Sequence, residues 1–310
     1  MSTRIVRFTL HCSIGVALVA CSSDSSAIPC TMNDQCASGF CQADDTCAPV
    51  PTTDGGTQVA NDAGTDGGSS SQLCTPNHDG MIVQSELPLV AGRTANFLVA
   101  SGSNVMWDTT GSAGSGNMRI WDLSGALSSD TQEPIMLASP SGAWWAGDFT
   151  DVTYATVLST SAPTLLGVFH VDSNQVTLLG VVSTSGGPTE TELKYNPPAK
   201  ILALPFMASS TWTSTSTVTG VASGIAAEYT EEYDSSVDQI GTMKTPYSTV
   251  PFPVLRVATN LIRDDIPYSR TFAWVAECFG SVAQAQSQAY PSQVPTGEFD
   301  NPAEVWRITP

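Results

Sequence analysis

Histidine, positive charge and helical periodicity are all scarce in this 310-residue sequence. It has three histidines, and 11 lysines and arginines stand against 29 aspartates and glutamates, for a net charge of −18. Such a surface repels nucleic-acid phosphates and anionic lipid headgroups, which excludes both as partners. No Gly-x-Ser-x-Gly elbow, no His-Glu-x-x-His and no Gly-x-x-x-x-Gly-Lys-Ser/Thr loop occurs. The common serine-hydrolase, zinc-protease and nucleotide-binding chemistries therefore have no carrier here. Past the amino terminus, no apolar run approaches the roughly 20 residues that a membrane-spanning helix needs. Charged residues make up only 13% of the chain, while Ser, Thr, Gly and aromatics abound. That balance favours an extracytoplasmic β protein over a cytosolic helical enzyme.

The amino terminus carries what the rest lacks. Arg4 and Arg7 precede a mostly apolar stretch, Phe8 to Ala20, which is too short to span a bilayer. It ends in Leu18-Val19-Ala20-Cys21. This resembles the lipobox of bacterial lipoproteins, and the resemblance implies cleavage before Cys21 and acylation of its sulfur. Residues 1–20 then read as a lipoprotein signal peptide and 21–29 as an anchor segment. Cleavage leaves 9 basic against 29 acidic residues, a net −20. More than one acyl chain on Cys21 would hold the protein to a membrane essentially irreversibly.

Residues 30–47 place Cys30, Cys36, Cys41 and Cys47 among few apolar residues. So little apolar surface cannot fold without covalent staples, so two disulfides are expected, in one of three pairings. A zinc site is disfavoured by export and by the lack of a Cys-x-x-Cys pair. The stretch resembles the short Cys-rich modules, akin to the Dickkopf amino-terminal repeat, that follow lipoboxes in uncharacterised myxobacterial-type surface lipoproteins. The resemblance implies a stalk. Residues 48–73, with Pro49, Pro51 and two Asp-Gly-Gly runs, read as a flexible, disordered linker reaching roughly 25–30 Å.

From 74 to 310 the pattern is period two broken by turns. Thr164–Val171 and Gln175–Val182 flank Asp172-Ser173-Asn174, which predicts a hairpin. Pairing about Ser173 would set Leu166 against Gly180 and Leu179 against Gly167. A second hairpin joins Val254–Ile262 to Tyr268–Cys278 through a turn near Asp264-Asp265, with Tyr268, Phe272, Trp274, Ala276 and Cys278 on one face. Val305-Trp306-Arg307-Ile308 reads as a closing strand. The expected fold is mainly β: a curved antiparallel sheet, half-barrel or sandwich-like, with little helix. Cys74 and Cys278, the remaining cysteines, are expected to pair.

Candidate chemistry is thin. Thr75–Glu86 can be read as a twelve-residue EF-hand-like loop, with Asn77, Asp79 and Glu86 as calcium ligands and Gly80 at the sharp turn, but Thr75 stands where Asp belongs. Glu228, Glu231 and Glu232, or Asp264 and Asp265, are candidates for a glycosidase carboxylate pair. Trp107, Trp121, Trp144, Trp145 and Trp212 either stack sugars or fill a β core. His170 reads as a packed or surface residue. Cys74-Thr-Pro-Asn-His-Asp-Gly80, Val237-Asp-Gln-Ile-Gly-Thr242, Thr245-Pro-Tyr247, Val254-Leu-Arg-Val257 and Glu277-Cys-Phe-Gly-Ser-Val-Ala283 are similar to stretches in myxobacterial-type lipoproteins. That likeness implies fold and location but no activity. The expectation is a lipid-anchored protein of the Gram-negative outer membrane or cell surface, a binding or structural module without catalysis or cofactor. Its only expected membrane contact is the anchor, and its protein, glycan or lipid ligand is unspecified. The alternatives are a carbohydrate-active hydrolase and a lipid-carrier half-barrel.

Overall fold

A computed structural model describes residues 74–289 and 294–310. The signal peptide, Cys21, the Cys30–Cys47 module and the linker lie outside the described residues. Sixteen strands follow one another: β1 (Met81–Ile82), β2 (Thr94–Ser101), β3 (Ser112–Ala113), β4 (Arg119–Asp122), β5 (Thr131–Met136), β6 (Tyr154–Val157), β7 (Leu165–Val171), β8 (Gln175–Ser183), β9 (Glu192–Ala203), β10 (Phe206–Met207), β11 (Thr211–Ala222), β12 (Ile225–Thr245), β13 (Ser248–Arg263), β14 (Ile266–Ala276), β15 (Gly280–Ser287) and β16 (Pro302–Thr309). Among the described residues, helix is confined to one 3-10 turn, Gln84–Glu86.

The main sheet runs β5-β2-β16-β15-β14-β13-β12-β11-β9-β8-β7-β6, each neighbour antiparallel. Its two ends meet through one bridge, in which Ala138 and Ala155 exchange backbone hydrogen bonds of 2.7 and 2.9 Å. The result is a nearly closed barrel. Twelve strands would enclose a wide lumen if the barrel were round. Here Ile201 and Leu202 of β9 and Val257, Leu261 and Val275 of β13 and β14 line one cavity of about 50 Å³. Inward side chains of both walls, Leu178, Tyr195 and Ile201 with Leu255, Leu261 and Val275, join one buried cluster, so packing fills the interior.

Alternation decides which side chains enter. On β11, Trp212, Ser216 and Val218 point inward while Thr211, Thr213, Thr215, Thr217 and Thr219 stay exposed. On β13 the run Phe252–Ala258 has apolar residues on both faces, because both are covered. Leu255, Val257 and Leu261 join the interior core, and Phe252, Val254 and Ala258 join a second core outside the barrel. That outer core is roofed by residues 102–130 and 294–301, which bring in Val105, Trp107, Trp121, Leu123 and Phe299. Trp107 and Trp121 meet Trp274 edge-on, with centroids 5.2 and 5.6 Å away, and Phe299 stacks on Phe272 at 5.3 Å. β4 ties this roof to the barrel by pairing parallel to β12 at residues 241–244. Only glycine fits at Gly241, since a Cβ there would stand 1.9 Å from the Arg119 carbonyl oxygen.

Both expected hairpins form, with corrections in register. Asp264 and Asp265 both adopt positive φ (49° and 62°), the backbone of a tight two-residue hairpin turn. On the return strand a bulge falls between the Ser269↔Leu261 and Pro267↔Ile262 pairs. Tyr268 is the extra residue, so it packs against the interior core, while Phe272, Trp274 and Ala276 face the outer one. Cys278 lies beyond β14 in a turn, at φ 64°. In the first hairpin Val171 pairs with Val176, and a bulge at Leu179 sets Val168 against Gly180 and Gly167 against Val181. The Asp172 carboxylate accepts the Asn174 and Gln175 amides and fixes a four-residue turn, which moves the centre off Ser173. Phe149 covers Gly180, and Leu158 and Phe169 cover Gly167, in place of the expected leucines. The closing segment Val305–Ile308 lies in β16, between β15 and β2.

Cys74 and Cys278 are joined across 204 residues with a Cα–Cα distance of 5.4 Å. On the chain-entropy model so long a loop contributes about 5 kcal/mol at most. Cys278→Ser should therefore lower the urea midpoint and, by freeing a 204-residue loop in the unfolded chain, steepen the slope. A midpoint unchanged from wild type under non-reducing conditions would show that the bridge adds no stability.

Candidate functional site

The residues that organise this domain are buried charges lodged inside apolar strands. Arg256 interrupts Val254-Leu-Arg-Val257 on the outer face of β13 and is only 1% exposed. Its Nε and Nη2 donate to the two carboxylate oxygens of Asp238 at 2.9 and 2.8 Å. Its Nη1 and Nη2 reach Glu298 at 2.9 and 2.6 Å, and Nη1 also donates to the Thr109 carbonyl. The guanidinium lies 4.1 Å from the Phe272 ring centroid and 5.5 Å from that of Trp121. Asp238 can reach it because it is the extra residue of a β-bulge between Val237 and Gln239. Burial opposes the charge on Arg256, but its hydrogen bonds to Glu298 and Asp238 outweigh that and raise its pKa.

Arg307 performs a parallel task. It is fully buried on β16, pairs with Asp130, and donates to the carbonyls of Leu123 and Gly125. Register puts Arg256 opposite Trp274, Trp274 opposite Ala283 and Ala283 opposite Arg307. Both arginines thus occupy one cross-strand row and hold the roof at two points. The roof is knit further around Thr109. Its carbonyl accepts from Trp121 Nε1 as well as from Arg256, and its hydroxyl donates to Glu298.

The interior holds two further carboxylates. Glu231 of β12 is fully buried and accepts from the Tyr195 and Tyr233 hydroxyls at 2.9 and 2.6 Å, and from Arg263. Arg263 lies between the rings of Tyr229 and Tyr268, 4.7 and 4.2 Å from their centroids. Burial opposes its charge too, but Glu231 prevails and its pKa is raised. Glu304 of β16 accepts from the Ser159 and Thr160 hydroxyls and the Thr160 amide, which ties the β6–β7 connection to the opposite side of the seam.

The residues singled out in the sequence are dispersed. Asn77 and Asp79 hydrogen-bond each other, and Asp79 also accepts the Met81 amide. Glu86 is turned inward to accept the Val83 amide. The three do not converge on a common centre, and among the described residues no group of three or more His, Cys, Asp or Glu side chains is placed to hold a metal. Glu231 is committed as above, Glu232 accepts from Thr215, and Asp264 accepts the Thr230 amide. Trp121, Trp145 and Trp212 are buried, and Trp144 donates to the Ser183 carbonyl. No local pattern singles out Glu298 or Glu304, whereas Arg256 and Arg307 each carry a signal. The available signal was an arginine inside a two-sided apolar strand, in Val254–Val257 and again in Val305–Ile308.

The chain matches no family model, no curated protein and no solved structure.

Removing the Arg256 guanidinium takes away the hydrogen-bonded counter-charge of Asp238 and Glu298 and leaves them the weaker attraction of Arg270. Arg256→Ala should cost about 3 kcal/mol, the low end for such losses because both carboxylates keep some solvent contact. Burial alone would raise the Glu298 pKa above its ordinary 4.5, but the hydrogen bond and charge of Arg256, with the Thr109 hydroxyl, hold it lower. A depressed carboxylate stabilises the fold fully above its unfolded pKa, and that contribution is lost as pH falls through the native value. Glu298→Gln should accordingly flatten the acid limb of a stability–pH profile below about pH 4.5, which urea titration at stepped pH would show.

Proposed function

We propose that this chain is a lipid-anchored protein of the Gram-negative envelope, held at the outer membrane or cell surface through Cys21, whose β domain is a non-catalytic binding or structural module. The observation that carries the reading is Leu18-Val19-Ala20-Cys21 at the end of a 13-residue apolar stretch behind Arg4 and Arg7. The Cys74–Cys278 disulfide supports it, because such bridges persist in oxidising compartments outside the cytoplasm. So does the disposition of the buried charges. Arg256, Arg307, Glu231 and Glu304 each engage protein partners that hold strands or loops in place, a use that fits a scaffold. A hydrolase would set two carboxylates across a cleft, whereas Glu231 sits in a closed tyrosine–arginine cluster. The lipid-carrier reading draws support from one observation, the apolar cavity between the barrel walls.

Intact mass of protein extracted from membranes, with and without reduction and alkylation, tests the anchor and the oxidation state together. The expected species begins at an acylated Cys21 and has six oxidised cysteines: Cys30, Cys36, Cys41, Cys47, Cys74 and Cys278. Cys21→Ala should move the protein from the membrane to the soluble fraction. An unacylated mature chain, or a Cys21→Ala variant that still fractionates with membranes, would overturn the anchored reading.

A further inference from the structure

β12 is longer than the strand beside it, and the excess is left with one bare edge. Its pairing with β11 runs without a bulge from Ser236↔Thr211 to Ile225↔Ala222. Its pairing with β13 stops at Glu231↔Arg263, because the chain turns back at Asp264 and Asp265. Thr230 is closed off by that turn. The Asp264 amide donates to its carbonyl, and its own amide donates to the Asp264 carboxylate at 2.9 Å. The backbone groups of Thr230 therefore point toward β13, and with a period of two those of Glu228 and Ala226 point the same way. Among the described residues no strand or loop pairs with Ala226 or Glu228 on that side, and both are exposed. Two bonds hold the hairpin tip in place: the Gly224 amide donates to the Glu190 carbonyl at 2.8 Å, and the Ser223 amide to the Thr191 hydroxyl at 3.0 Å. The bare edge thus belongs to an anchored strand.

Open edges of natural sheets are normally blunted by proline, lysine or a bulge. The β5 edge, which meets β6 only through the Ala138–Ala155 bridge, carries Pro134. Ile225-Ala-Ala-Glu-Tyr229 carries none of these devices. We infer that β12 accepts one further strand here, supplied by a partner protein as an extended segment in which lysine or arginine alternates with apolar residues. This gives the binding-module reading a class of partner and rests on that reading. The alternation follows from the two faces of the edge. Ile225, Ala227 and Tyr229 share the inward face, where Ala227 and Tyr229 pack against the interior core, so residues opposite them meet apolar surface. Residues opposite Ala226 and Glu228 fall on the outward face, beside the Glu228 carboxylate and the exposed Asp264–Asp265 turn. The nearby cations are already engaged, Lys194 with Glu192 and Arg263 with Glu231. A basic side chain complements this face. A second copy of the chain would instead bring its own Glu228, and a net charge of −18, against the same carboxylates. The turn at Asp264 stops the added strand, so the new ladder spans about five residues, or roughly 17 Å.

The test uses the full-length membrane-extracted protein and the end-capped peptide Val-Lys-Val-Lys-Val. In antiparallel register its lysines lie opposite Ala226 and Glu228 and donate their amides to β12, while the central valine amide points away. Calorimetry should show saturable 1:1 binding, and amide exchange should slow at Ala226 and Glu228. N-methylation of both lysine amides keeps the charge and removes two donors, so it should weaken binding about tenfold or more. N-methylation of the central valine should leave binding within about twofold, because that amide is not used. Ala226→Pro removes a donor that the β11 ladder does not need and should also weaken binding about tenfold, with a urea midpoint near wild type showing that it folds. Glu228→Lys leaves the backbone donors intact and should weaken the same peptide about tenfold by placing like charges opposite each other. Absence of saturable binding, equal binding of the lysine-methylated peptide, or either variant folding and binding like wild type would overturn the proposal. So would a dimer of the unliganded protein, seen by sedimentation, that Ala226→Pro dissolves, since the edge would then belong to a second copy. Failure of every arm with Cys21 acylated would leave the anchored reading standing, whereas saturable binding to an unacylated chain would sink the anchor and keep the edge.

Discussion

One cross-strand row, Arg256–Trp274–Ala283–Arg307, holds the outer half of this domain together. Taking a guanidinium out of water costs several kcal/mol unless every donor finds an acceptor. The β sheet cannot supply those acceptors, because its own carbonyls are used in the ladder. They come instead from the roof: Thr109, Leu123, Gly125, Asp130 and Glu298, with Asp238 added by a bulge. The segments 102–130 and 294–301 have little regular structure of their own, so these contacts decide where they lie. Once they are seated, the outer face of β13–β16 becomes a second core. That is why β15 is buried at every position and built largely of alanine, serine and glutamine rather than the exposed residues of an ordinary barrel wall.

The bulges make this arrangement possible. A strand with unbroken alternation commits each residue to one face for its whole length. β12 spans 21 residues and changes neighbour along one edge, from β11 to β4. The bulge at Asp238 falls at that change and turns its carboxylate toward Arg256. The bulge at Tyr268 sends that ring inward to flank Arg263, whereas strict alternation would have placed it outward beside Phe272. Each bulge also adds twist, and twist at several points lets twelve strands fold back on themselves around a packed interior.

The parts of the fold that were legible in the sequence are those governed by local chemistry. Period-two runs, Asp264-Asp265 as a tight turn and the predominance of strand follow from residue type and short spacing, and the Cys74–Cys278 pairing follows from these being the cysteines left in the domain. Register within the first hairpin was not legible, because the bulge at Leu179 depends on Phe149 arriving from another part of the chain to cover Gly180. The same limit applies to the roof. Arg256 and Glu298 are 42 residues apart, and Arg307 and Leu123 are 184 apart. No local pattern announces such pairs, although an arginine inside a run of valines and leucines does announce that some partner must exist. Gln284 and Gln286 in Ala-Gln-Ala-Gln are buried because β15 is covered on both faces, which no local pattern announces.

The disulfide sets how the domain meets load from its amino-terminal side. Cys74 is bonded to Cys278 in the β14–β15 turn, and the Cys278 amide also donates to the Glu86 carbonyl. The segment between, residues 75–87, is therefore fixed at both ends to the same turn. Tension entering at Cys74 passes through a covalent bond into the connection between two strands buried on both faces. It does not reach β1, which pairs with β10 over only two residues and would peel first if it bore the load. Strands pulled through their turn must shear whole ladders at once, whereas a short edge pair unzips one bond at a time. For a load entering at Cys74, a bridge at this position turns the two-residue β1–β10 pair into a bystander and makes the β13–β16 wall the element that resists.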